Sequence, residues 1–146
     1  MAEAWRAEAM EEIGSIKLRW VEKYGWSPEV DAVDDHADWI DFYVRFRRRQ
    51  GGQAADAPSK TYVLRLRYHA DFKTAGRREQ FVDPEDRSKE GPAYWPTGVR
   101  GFNPGASPPT ICLEGTYGFH SQLHRDRDGR RANLNKLLME IQKCLG

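Results

Sequence analysis

Cysteine is scarce in this chain, whose 146 residues include only Cys112 and Cys144. Two thiols cannot form the disulfide framework that staples small secreted domains, and no signal-peptide pattern opens the chain. The sequence therefore predicts a cytoplasmic, reduced protein. Long hydrophobic runs are missing as well. None approaches the roughly 20 residues that span a bilayer, so no membrane partner is expected. Charge of one sign is also lacking, since 23 Lys and Arg against 22 Asp and Glu leave a net charge of +1. The field of the whole chain gives no reason to expect a nucleic-acid partner. The arginines at 45, 47, 48 and 49 are a local feature.

What is present suffices for one domain over residues 1–146. Five Trp, six Tyr and six Phe supply bulky core material, and a chain of this length folds without staples. Trp5, Ala9, Ile13, Ile16 and Trp20 recur at three- and four-residue steps, which predicts a helix over residues 2–24, bent at Gly14-Ser15 and stopped at Gly25. Two strands follow. Over residues 39–47, Ile40, Phe42, Val44 and Phe46 point one way and Asp41, Tyr43 and Arg45 the other. Over residues 61–68, Tyr62, Leu64, Leu66 and Tyr68 alternate with Val63, Arg65 and Arg67. Such alternation predicts an antiparallel sheet with one buried and one wet face. The small, polar link 50–58 suits a hairpin loop, and a shorter strand is expected around Gln80-Phe81-Val82.

Residues 83–110 hold six of the eight prolines and four glycines, without periodicity. A loop this long in a compact domain is usually functional or disordered. Tyr94, Trp95 and Phe102 argue for anchoring to the body. Leu134, Leu137, Leu138, Ile141 and Leu145 predict a closing helix over 134–145, with Asn133 as N-cap and Gly146 as C-cap. The sum is an α+β domain: an N-terminal helix, an antiparallel sheet of three to four strands, a long loop bearing a cysteine, and a C-terminal helix packed on the sheet.

Cys112 sits at the end of that loop, in Pro108-Pro109-Thr110-Ile111-Cys112-Leu113-Glu114-Gly115, where a thiol can meet a substrate. Cys144 falls on the last helix near Ile141, which predicts a structural role. The order of elements, with Ile111-Cys112-Leu113 after an extended loop and the leucine-rich stretch from Ala132 to Ile141 downstream, resembles the ubiquitin-conjugating enzyme family over residues 36–146. The resemblance implies that Cys112 accepts a ubiquitin-like protein as a thioester from an activating enzyme and passes it to an amine on a protein target. It implies no small-molecule cofactor and no resident metal. The first helix, with Arg6, Lys17, Arg19 and Lys23, would correspond to the surface presented to the activating enzyme. Phe102-Asn103-Pro104 stands where the eukaryotic members carry His-Pro-Asn, and the paired prolines before their third strand are absent from residues 72–81. The chain also ends after the leucine-rich helix. Such a shortened form looks like the bacterial relatives found beside ubiquitin-like, activating and deubiquitinating proteins in antiviral defence operons.

Thiolate sulfur suits the chemistry, being both a strong nucleophile and a good leaving group in the next acyl transfer. Asn103 is a candidate oxyanion donor or a turn residue before Pro104. His120 and His124, eight and twelve residues after Cys112, are candidates for orienting the acceptor amine or taking its proton, or are loop histidines bonded to backbone. Asp126 and Asp128 could attract a lysine ammonium. Two other readings stay open. One is a non-catalytic binding module using the sheet and the Tyr94-Trp95 loop. The other is a thiol or zinc hydrolase built on Cys112, His120 and His124.

Overall fold

The computed structural model describes residues 4–16, 27–49 and 59–146. Four strands form one antiparallel sheet in sequence order: β1 (Glu29–Asp35), β2 (Ile40–Arg49), β3 (Ser59–Tyr68) and β4 (Arg78–Val82). β2 and β3 pair without interruption from Ile40 opposite Tyr68 to Arg49 opposite Ser59. The alternating residues of both strands line the inner face, where Phe42, Val44, Phe46, Leu64, Leu66 and Tyr68 are fully buried. The hairpin link 50–58 and residues 17–26 lie outside the described residues.

Helix α1 (Ala4–Gly14), the single turn α2 (Phe72–Ala75) and helix α3 (Leu134–Leu145) share one continuous apolar core with that face. Within α1 the buried positions are Ala9 and Ile13. The helix stops at Gly14, where the sequence predicts a bend; Gly lowers helix stability enough to end it there. α3 has the predicted bounds and stripe: Leu134, Leu137, Leu138, Ile141 and Leu145 are buried, and the Asn133 side chain caps it by accepting from Lys136 N at 2.9 Å. Cys144 departs from expectation and is exposed. It lies roughly 80° from the centre of the stripe at 100° per residue. The helix is rolled the other way, burying Gln142, whose Nε2 donates to the Arg47 carbonyl oxygen at 2.8 Å.

The outer face is not simply wet. Tyr43, Val63 and Val82 form a second small buried cluster with Ala32 packed against it, and Asp41 is 2% exposed. Strand β1, which carries the fourth row of the sheet, is acidic and mostly exposed. Charged side chains on an edge strand discourage further strand pairing, and they also hide the strand from pattern reading. Arg45 and Arg6 hold β1 through Asp31 and Asp35. The proline-rich stretch is pinned as expected: Trp95 is 2% exposed and stacks edge-on against Phe81 at 5.0 Å. Among the described residues no helix is long and apolar enough to cross a membrane.

Candidate functional site: a thiol and an imidazole beside a groove

A two-stranded ribbon delivers the thiol. Strands β5 (Phe102–Asn103) and β6 (Thr110–Ile111) pair antiparallel, and the Cys112 amide donates to the Gly101 carbonyl at 2.7 Å. From there the chain turns under β4 and is clamped at two points. Residue 77 makes a parallel bridge to Thr116, with Arg77 N–H donating to Gly115 O at 2.9 Å and Tyr117 N–H to Arg77 O at 2.7 Å. Two residues on, the Glu79 carboxylate accepts from Ile111 N–H at 2.9 Å and from Gly118 N–H at 3.0 Å. Two glycines make the close approach possible. Gly115 has φ +109 and a Cβ there would lie 2.7 Å from Arg77 Nη1; at Gly118 a Cβ would lie 2.6 Å from Glu79 Oε2.

Arg77 is itself 2% exposed and ties the clamp to α1. Its guanidinium pairs with Glu12, donates to the Tyr68 hydroxyl at 3.0 Å and reaches Gly115 O at 3.0 Å. Thr116, fully buried, closes the loop from inside, its hydroxyl donating to Ile111 O at 2.6 Å and accepting from Phe119 N–H at 3.1 Å. The amides of Cys112, Leu113, Gly115, Thr116 and Tyr117 all find acceptors, as a buried irregular backbone requires.

The next element, Gly118–Leu123, is a π-helical turn, a rare geometry frequent at functional sites. It sorts the two candidate histidines into different roles. His120, 6% exposed, accepts from Gly115 N–H at 2.9 Å through Nε2 and meets the Arg127 carbonyl at 2.6 Å through Nδ1. A carbonyl only accepts, so Nδ1 carries the proton, and both nitrogens are spent on backbone. His124 follows the wide turn, its amide donating to Phe119 O at 2.7 Å. Its ring lies 4.5 Å from that of Phe119, and its Nε2 stands 3.9 Å from Cys112 Sγ. Phe119 is covered in turn by the Arg127 guanidinium at 5.3 Å, and Arg127 pairs with Glu114.

The thiol, half-buried, opens on a groove of about 420 Å³ between this loop and the start of α3. Leu113, Phe119 and Leu137 give it an apolar lining, while Arg131, Lys136 and Glu140 bring charge to it. Asn103 is not among the lining residues. It is exposed on β5 and spends its backbone on Thr110. The amide side chain that does line the groove is Asn133, the cap of α3. Asp126 and Asp128 are exposed and also outside the groove lining, Asp128 accepting from Arg130 N–H at 3.1 Å. On Cys144, partial desolvation and then Glu140 push the thiol pKa up, the opposite of activation. Among the described residues no group of three or more His, Cys, Asp or Glu side chains could hold a metal ion. The buried Trp95 cannot offer its ring to a partner, which removes half of the loop surface expected for a binding module.

Sequence reasoning missed Glu79, Arg77, Thr116 and Phe119. A signal existed for the first two: with Phe81 inward, period two also turns 79 and 77 inward, so a strand carried back from Gln80 would have exposed a buried Glu and Arg. Compared with known proteins, the chain matches no family model, no curated protein and no solved structure.

Proposed function

We propose that this protein is a ubiquitin-conjugating-enzyme-like carrier whose Cys112 accepts a ubiquitin-like protein and passes it to an amine. The observation that carries the reading is the pair itself: a half-buried thiol at a groove with His124 Nε2 at 3.9 Å. The order of helix, antiparallel meander, extended loop, cysteine and leucine-rich helix agrees with the resemblance drawn from the sequence. In loading, Cys112 sulfur attacks the carbonyl of the incoming thioester. A new C–S bond forms, the old one breaks, and the departing thiol of the activating enzyme takes up the proton that Cys112 gives up. In transfer, the acceptor nitrogen attacks the same carbonyl, the C–S bond breaks, and the ammonium proton leaves through a base. His124 is the group placed to take a proton in either step. The energy arrives in the thioester, so no small-molecule cofactor is needed. The protein target and the setting in antiviral conjugation belong to the same proposal.

A thiol hydrolase would use the same dyad, with water in place of the amine. One experiment separates the two. The protein is incubated with activating enzyme, ATP and ubiquitin-like protein, and followed by intact mass. The carrier reading expects an adduct cleaved by thiol reductant, lost in Cys112→Ala and kept in Cys144→Ala. Discharge to free lysine should slow by about 100-fold or more in His124→Ala, the range for loss of a general base, and stay near wild type in Asn103→Ala. An adduct that survives in Cys112→Ala refutes the assignment. Release of free carboxylate, with no amide formed, favours the hydrolase.

A further inference from the structure

We propose that Glu79 is a positioning residue for the Cys112–His124 pair: its buried carboxylate ties the strand ending at the thiol to the helix ending at the imidazole, so that protonation of Glu79 changes the reactivity of a thiol it does not touch. Glu79 is 3% exposed and sits on the inner face of β4 opposite Leu66. Its two oxygens have only neutral partners, its own amide and the Thr116 hydroxyl among them. Two of the donors belong to the site: the amide of Ile111, the residue before Cys112, and the amide of Gly118, the first residue of the π-helical turn that leads into His124. The segment ending at sulfur and the turn ending at Nε2 are therefore joined through this carboxylate, alongside the uncharged tie of the Thr116 hydroxyl to Ile111 O and Phe119 N–H.

The charged and titratable groups around it are engaged elsewhere. Just before β4, Arg77 is committed to Glu12 of α1, Tyr68 of β3 and Gly115 O. From the cysteine loop, Glu114 pairs with Arg127, and from the π-helical turn His120 is held by backbone. β3 and α3 contribute apolar side chains to this core, Leu66 and Leu137 among them. With no cation to offset it, burial raises the Glu79 carboxyl to about 7, against which the amides of Ile111, Glu79 and Gly118 and the Thr116 side chain pull it down. Ionised, the carboxylate makes charge-assisted hydrogen bonds to the Ile111 and Gly118 amides. Protonated, it holds them less tightly and must place its own proton, while the Ile111 carbonyl is already taken by Thr116. The two protonation states hold the site differently, and they exchange near neutral pH.

This inference rests on Cys112 being the reactive thiol, and its test reads that thiol directly, without partner proteins. In a Cys144→Ser background, the rate of Cys112 alkylation by iodoacetamide is measured from pH 5.5 to 9 by intact mass. The expected profile has, besides the ionisation of the thiol, a several-fold step near pH 7. That step should vanish in Glu79→Gln, with circular dichroism confirming the fold. A folded Glu79→Gln protein that keeps the step overturns the proposal, and so does a wild type without one. Should Glu79→Gln fail to fold, the wild-type amide resonances of Ile111 and Gly118 decide. They must titrate together with one midpoint near 7, and silence at either overturns the idea. A thiol that alkylates with the Glu79-dependent step but never loads a ubiquitin-like protein would sink the carrier reading alone.

Discussion

Two buried carboxylates lie on opposite faces of the sheet, and they are satisfied in opposite ways. Asp41, on the outer face, is 2% exposed and is gripped by the Arg67 guanidinium at 2.7 and 3.0 Å, with the Trp39 indole N–H at 3.2 Å. Asp41 and Arg67 are direct cross-strand partners, so the sheet register itself brings the charges together. Glu79, on the inner face, has amides and no cation. A charge matched by a charge is a fixed structural tie. A carboxyl matched only by dipoles sits close to its titration point, and the dipoles it holds belong to the cysteine segment. The polar group most exposed to change is therefore the one beneath the thiol.

The largest expected effect breaks the outer tie. Arg67→Leu leaves Asp41 buried without its guanidinium, and losing one partner of such a pair costs roughly 3–5 kcal/mol. Urea unfolding should show that loss, with Cys112 alkylation of the folded fraction unchanged. A loss below about 1 kcal/mol would mean that Asp41 finds water or His36, which stands 3.5 Å away, and that the two carboxylates differ less than their contacts suggest.

The inner carboxylate should instead show itself as pH dependence. Glu79 is raised to about 7 in the folded protein from an ordinary 4.5. Between those values the folded state holds more protons than the unfolded chain, so this group's contribution to stability is full below pH 4.5 and is lost as pH rises through 7. The difference corresponds to roughly 3 kcal/mol. Urea midpoints at pH 5 and pH 8 should fall further apart in wild type than in Glu79→Gln. Equal separations would show that Glu79 titrates as an ordinary surface glutamate.

The same contrast explains what the sequence makes legible. β2, β3 and α3 announce themselves because each repeats one rule over many residues: Phe42 and Val44 two apart, Leu134, Leu138 and Ile141 along one stripe. Cys112 is legible because two cysteines leave few choices. The role of Glu79 is not, since it depends on a single side chain meeting amides 32 and 39 residues away. Nor can spacing tell His120 from His124. Eight or twelve residues from the thiol are equivalent until the π-helical turn sends one ring to the backbone and the other to sulfur. β1 escapes because its acidic residues suit an edge strand while looking like a loop.

The smallest effects sharpen the comparison at the groove, where the sequence points to Asn103 and the structure puts Asn133. Asn133 accepts from Lys136 N–H as the cap of α3, and its amide nitrogen makes no hydrogen bond among the described residues. Removing a cap costs about 1 kcal/mol. Asn133→Ala should therefore lower the melting temperature by a few degrees. Asn133→Asp keeps the accepting oxygen and adds a negative charge at a helix N-terminus, where it is favoured, so it should melt no lower than wild type. Asn103→Ala, at an exposed position, should stay within about 0.5 kcal/mol of wild type. The informative variant is Asn133→Asp, because it removes the amide donor while leaving the helix capped. Slower discharge of the Cys112 thioester in this variant than in Asn103→Ala would assign the amide beside the thiol to the start of α3. Equal discharge would leave Asn133 as a cap and nothing more.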